Sequence, residues 1–473
     1  MDEVVKKVGK NTIWQLIGKT ISTILSIILV FMIARTLGPT SYGVFSLVVT
    51  FLFLFQQFTS AGLEPSLPYF MQKYKDKSTS LLKTYFKSRI IITLTCALIF
   101  YLLSDYIALI YNNPSLSSYI KLISLFVPFF ILMNASYQIF QGFNDLKQSM
   151  KVDIVFSICK YLALTLIILG FGIYGGLIGY GISYIITTIF AFNIIYKRFW
   201  KKSSEFRQKK ELMNYATTIF ISGIFMFLSY YLINLILGLN PIELGFFDSA
   251  NKVGLLISII PSAIAAALTP SITNKTKQEI KNIVRTFTKY AMIAMIPIIT
   301  ILLFTPGFVI NTLLSTDYDS IVSFFSILVI ALTIQSLTLI YDSISYGIGK
   351  PKNAVLNYVV RTFMIILLSG YLTNAFNASW VLLTAVSVST IIVSIQLRKY
   401  LQVPWASIIK TIISVIPLGL ALYIDIDLTL KIVIASGATI IYGILIYKSV
   451  LNNKDKSLIK ALTQKILRTT KNI

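Results

Sequence analysis

Fourteen stretches of this chain are apolar over roughly 20 residues or more, and that feature alone excludes most folds open to 473 residues. They run near 11–36, 43–70, 87–110, 118–142, 150–170, 174–196, 212–238, 245–273, 286–310, 320–345, 354–373, 378–397, 406–424 and 429–449. Each can cross about 30 Å of hydrocarbon, where only helices and closed barrels satisfy their backbone. Runs this long and continuous predict helices, so the chain reads as an all-α polytopic membrane protein with 14 spans. A composition of 56% hydrophobic and 13% charged residues leaves too little polar surface for a soluble protein of this length. No cleavage pattern precedes the first run, which is expected to stay as an uncleaved span.

The basic residues test the count. With the N-terminus in the cytoplasm, the N-terminus, the even-numbered loops and the C-terminal tail carry 36 of the 42 Lys and Arg. The odd-numbered side holds Arg35, Lys121 and Lys431, while Lys19, Lys160 and Lys252 fall within spans. One helix more or fewer would scramble this alternation, so both termini are expected inside a plasma membrane. The net charge of +24 then follows membrane sidedness, with anionic lipids as partner and no nucleic acid implied. In the tail, 452–473, Leu458, Leu462 and Ile466 recur at helical spacing among lysines, which predicts an amphipathic helix on the inner surface.

Histidine is absent, and Cys96 and Cys159 lie in apolar runs away from any ligand motif. The chain therefore predicts neither a metal site nor a cofactor. No GxxxxGK[ST] motif offers ATP drive.

LGPTSYGVF at Leu37–Phe45 returns as LNPIELGFF at Leu239–Phe247, aligning Pro39 with Pro241, Gly43 with Gly245 and Phe45 with Phe247. A second echo pairs QGFNDLKQS with YGIGKPKNA, placing Gly142 against Gly347 and Lys147 against Lys352. The chain reads as a six-helix unit written twice, a parallel repeat of the kind that builds alternating-access transporters. The expected divisions are a lobe at 1–200, a basic linker at 201–211, a second lobe at 212–400, an accessory helix pair at 401–451 and the tail.

ARTLGPTSYGVFSL after the first run, the basic loop after the second, GIGKPK before the eleventh and the 6+6+2 count resemble the polysaccharide-biosynthesis flippases. These belong to the multidrug/oligosaccharidyl-lipid/polysaccharide exporter superfamily. The resemblance covers essentially the whole chain. It implies two six-helix bundles in a V around a central cavity, and a monomer that flips lipid-linked oligosaccharide from the inner to the outer leaflet. A lipid II-type flippase and a multidrug cation antiporter are the alternatives within the superfamily. An enzyme of lipid-linked sugar transfer is disfavoured, because the soluble stretches are short and basic.

Ionisable residues inside spans are costly and become candidates by default. Lys160 lies about 16 Å into the fifth run, too deep to snorkel easily, and is expected to bind substrate phosphate; pairing with Asp153 is the structural alternative. Lys19 is shallower, so snorkelling competes with phosphate binding. Glu64, followed closely by Pro65 and Pro68, is expected either to pair with Lys19 or to carry a coupling proton or sodium ion. Asp248 and Lys252, four residues apart, share a helix face, so mutual neutralisation competes with cavity lining. Asp248 is the second ion-coupling candidate and Lys252 a substrate-binding one. Arg35 anchors at the interface, and the resemblance keeps it as an outer-gate contact. Asp342 reads as interfacial. Tyr180, Tyr184, Tyr230 and Tyr231 are candidates for stacking sugars.

Overall fold

The first two apolar runs follow one another across a sharp bend at Gly38, where the sequence predicts a loop. In the computed structural model, α1 spans Asp2–Ser60 and turns at Gly38, whose φ of 72° and ψ of 168° are not helical. Glycine takes this conformation at no steric cost, and Pro39 restarts the helix because its fixed φ suits a first turn. The structure describes residues 2–60, 62–199, 209–272, 275–424, 428–453 and 455–456.

The helices that follow α1 are α2 (Leu63–Lys73), α3 (Ser78–Ile110), α4 (Pro114–Ser124) and α5 (Val127–Gly142). Next come α6 (Leu146–Cys159), α7 (Tyr161–Leu166), α8 (Gly172–Phe199), α9 (Lys209–Leu237) and α10 (Pro241–Gly254). Then come α11 (Ile259–Ile272), α12 (Lys277–Phe304), α13 (Pro306–Leu313) and α14 (Val322–Gly347). The chain continues through α15 (Lys352–Leu367), α16 (Ala375–Leu397), α17 (Trp405–Tyr423) and α18 (Leu428–Ser449). There are no strands among the described residues.

By length and composition, 10 helices can cross a membrane, or 11 if α4 and α5, bent by 51°, make one span. The expected count is fourteen. The difference has physical causes. Ile21–Ser60 and Leu146–Lys197 are helical stretches of 40 and 52 residues. The longer would reach about 78 Å if straight, well beyond a bilayer. It is broken instead at Gly170 and Gly172, both at positive φ. At 16 residues, α15 is shorter than a typical span.

The chain divides into two compact units. The first comprises residues 1–253, 310–324 and 355–389. Its core includes Leu67, Phe70, Leu82, Ile139 and Phe140, all buried where α2, α3 and α5 meet. Buried under this apolar layer, Arg89 of α3 pairs with Glu64 of α2. Glu64 thus pairs with Arg89 of the adjoining helix, where the sequence offered Lys19 as its partner. An arginine at the start of an apolar run can turn inward when a carboxylate awaits it, because an unpaired buried carboxylate is costly.

The second unit comprises residues 254–309, 325–354 and 390–473. Here α17 and α18 pack together through Leu418, Leu422, Tyr442 and Ile446, with Ile293 and Ile296 of α12 against them. Past α18, Asp455 accepts from Lys289 and Tyr290 of α12 and from the Asn452 backbone N–H. Lys289 is buried. Asp342 on α14, read as interfacial, is also buried. Most of the linker, residues 200–208, and of the tail, residues 457–473, lies outside the described residues.

Candidate functional site

The two repeated turns meet. Pro39 and Gly43 sit just past the bend of α1, and Pro241 and Gly245 open α10. A Cβ on Gly43 would run into the Pro241 carbonyl, and one on Gly245 into the Pro39 carbonyl. The contact is reciprocal: each glycine faces the proline of the other turn, which is the repeat partner of its own. Repetition in the sequence thus becomes a local two-fold pairing in space. Only glycine lets the two backbones come this close.

A cavity of about 50 Å³ lies beside this crossing, within the first unit. Phe45, Tyr180 and Tyr231 wall it, and Ser46, Asn234, Asp248 and Lys252 supply its polar lining. It is far below the roughly 300–1,000 Å³ of a typical ligand pocket, so it is a small recess between side chains. Asp248 is buried, yet well provided with donors. Tyr42 Oη donates to Oδ2 at 2.9 Å, and Asn234 Nδ2 donates to Oδ1 at 3.0 Å. Lys252 Nζ stands 3.5 Å from Oδ1, as the four-residue spacing predicted. Asn234 Oδ1 is buried and has no hydrogen-bond partner among the described residues. Three helices therefore contribute to one carboxylate: Tyr42 from α1, Asn234 from α9, and Lys252 from α10 itself.

Lys160 sits where α6 gives way to α7, and it is buried. Its ammonium donates to Ser26 Oγ on α1 at 2.7 Å and lies 4.7 Å from the centre of the Phe156 ring. An aromatic series runs on from there. Phe156 stacks on Tyr184 at 5.5 Å, Tyr184 meets Tyr180 at 6.3 Å, and Tyr180 meets Phe45 edge-on at 5.5 Å. Two predicted tyrosines thus connect the deepest predicted lysine to the cavity. Tyr231 lines that cavity, while Tyr230 lies elsewhere, under the guanidinium of Arg361 at 5.0 Å.

The other candidates scatter. Arg35 is exposed and donates to the Thr312 carbonyl at 3.2 Å. Glu64 belongs to the separate pair with Arg89. Lys19 falls in the part of α1 whose side chains lie outside the described residues. Sequence reasoning missed Arg89, Arg361, Tyr42 and Asn234. The two arginines follow polar loops closely and pass for headgroup contacts. Tyr42 alone carried a signal, since it lies inside the repeated turn.

A profile described as "Polysaccharide biosynthesis protein" matches residues 8–276, more than half of the chain. The chain belongs to this family. A putative O-antigen transporter of Shigella flexneri is 22% identical over 366 residues, covering 72% of this chain and 85% of that one. Among solved structures, this polysaccharide biosynthesis protein is similar to the lipid II flippase MurJ in an inward closed conformation. The TM-score is 0.76 at 15% identity, over 93% of this chain and all of that one. An inward-facing multidrug MATE transporter of the MOP superfamily gives a TM-score of 0.64 at 15% identity, over 82% and 98%. At such identities the likeness shows a shared fold. The chain is a multi-pass membrane protein with the fold of these transporters.

Proposed function

We propose that the chain is a flippase that carries a lipid-linked oligosaccharide or polysaccharide precursor from the inner to the outer leaflet by alternating access. The observation that carries this reading is the family match, joined by the O-antigen transporter relative over most of both chains. The geometry supports it. It does so by the chemistry of the lining and not by its volume, because aromatic faces such as Tyr180 and Tyr231 stack on sugars and the Lys252 ammonium pairs with phosphate.

Fourteen spans belong to this proposal: the bends at Gly38 and Gly170–Gly172 would each divide one long helical stretch into two, and α15 would complete the set. So do the lobes at 1–200 and 212–400, the linker at 201–211 and the accessory pair at 401–451. Both termini would face the cytoplasm of a cell membrane. Lys160, Lys252, Lys19 and Arg35 would contact substrate, and Asp248 or Glu64 would respond to a coupling H+ or Na+, in a monomer. The likeness to the lipid II flippase is one of fold and does not select lipid II as substrate. Deleting the gene in its host tests the reading. Surface glycan should disappear while its lipid-linked precursor accumulates on the inner leaflet; unchanged surface glycan would reject it.

A further inference from the structure

Asp248 is solvated by side chains that do not belong to its own helix. Tyr42 and Asn234 donate to its two oxygens at ordinary hydrogen-bond lengths, so both oxygens are satisfied without the lysine. Lys252, at 3.5 Å, is beyond the usual N–H···O range, and its side chain keeps 29% of its surface against 3% for Asp248. The ammonium is therefore ion-paired with Asp248 at longer range than the two neutral donors, and it lines the cavity.

The Tyr42 hydrogen bond is tied to the helix crossing. Tyr42 precedes Gly43, which meets Pro241, and Asp248 lies one turn beyond Gly245, which meets Pro39. If α1 and α10 part, the glycine contacts and the Tyr42–Asp248 bond go together. Lys252 stays within reach, since it is one turn away on the same helix.

We propose that Asp248 switches Lys252 between two partners, releasing it to a substrate pyrophosphate while Tyr42 is bonded and recapturing it when α1 and α10 separate. This rests on the flippase reading. It solves a problem every transporter of a tightly bound anion faces: the cation that binds the head group while the α1–α10 crossing is intact must let go once the crossing parts. Here the opening movement itself strips Asp248 of its tyrosine donor and turns the carboxylate back on the lysine. Anion affinity falls on the side where release occurs.

The test uses the full-length protein in lipid nanodiscs, with farnesyl pyrophosphate as probe and inorganic pyrophosphate to separate head group from tail. Binding is compared across Tyr42→Phe, Asp248→Asn, Lys252→Gln and the Tyr42→Phe/Asp248→Asn double variant. Lys252→Gln should lose most of the affinity. Tyr42→Phe should weaken binding about tenfold, the scale of a typical coupling between sites. Asp248→Asn should bind at least as tightly as wild type, and adding Tyr42→Phe to it should cost nothing further. Should Tyr42→Phe fail to fold, Gly43→Ala, which forces the same helices apart, takes its place with the same expectation.

The switch is overturned if wild type binds neither probe. It is equally overturned if Lys252→Gln binds normally, or if the tenfold loss persists in the Asp248→Asn background. The flippase reading fails separately. Wild type that shows this binding pattern but moves no lipid-linked glycan in proteoliposomes keeps the switch and loses the substrate. Glycan transport without the pattern does the reverse.

Discussion

Arg89 and Glu64 show what a single buried charge demands. With neither group exposed, each is tolerated only because of the other, and removing one leaves an uncompensated charge in the core. Arg89→Ala should destabilise the protein by about 3–5 kcal/mol, and Glu64→Gln combined with Arg89→Met should recover much of that loss. Thermal unfolding in detergent reads the difference; equal loss in the single and double variants would contradict the pairing. Asp455 makes a complementary case at the start of the tail. Burial pushes its carboxyl up, but hydrogen bonds from Lys289, Tyr290 and the Asn452 N–H outweigh burial and hold it below the usual range. A depressed folded pKa means that the clasp is at full strength above the ordinary aspartate value of about 3.9, and is lost as pH falls through the folded value. Proteolysis of the C-terminal segment should accelerate on acidification through that window. Asp455→Asn should be nicked readily at neutral pH and show no further acid step. At this scale the sequence tells only part of the story. Lys160 and Lys252 stand out because they interrupt apolar runs, whereas Arg89 is hidden by its position at a run's edge. Asp248's neighbours come from helices about 200 residues apart in one case, and 14 in the other.

The helices themselves were largely legible, because apolar length dictates them and little else competes. Their junctions were less so. Gly38 followed by Pro39 reads as a loop between two spans, yet one residue of positive φ is enough to redirect the chain while helix continues on both sides. The repeat fared better than the loop it was taken to mark. Pro39, Gly43, Pro241 and Gly245 recur at one offset, and the structure gives the recurrence a purpose: two backbones crossing at glycine. Gly245→Ala would press a methyl group into the Pro39 carbonyl, and overpacking of that kind costs about 1–3 kcal/mol. That is enough to shift a two-state equilibrium about tenfold towards parted helices. In a Ser46→Cys background, labelling by an impermeant thiol reagent added outside should rise correspondingly, since Ser46 lines the neighbouring cavity. Labelling that stays at the level of the Gly245 parent would contradict a gating role for the crossing.

For the whole molecule, sidedness comes first, because every assignment of an inner or outer role depends on it. The partition of 36 of 42 basic residues predicts that a cysteine at Ser203 reacts only from the cytoplasm and one at Ser117 only from outside. The reverse result would invert the topology. Function at this scale is a single event, the passage of a charged, sugar-bearing head group through a protein that holds Lys160 buried and Lys252 half-buried. Under the proposed function, Lys160, now hydrogen-bonded to Ser26, and Lys252, now beside Asp248, would exchange these contacts for phosphate. The measurement that decides the matter is made in proteoliposomes containing the purified protein and a fluorescent lipid-linked oligosaccharide, with outer-leaflet probe scored by its accessibility to a membrane-impermeant quencher. Wild type should equilibrate the probe between leaflets much faster than protein-free vesicles, and a well-folded Lys160→Gln variant should lose most of that acceleration. Equilibration no faster than in empty vesicles, across lipid-linked glycans of differing sugar and carrier, would contradict the account.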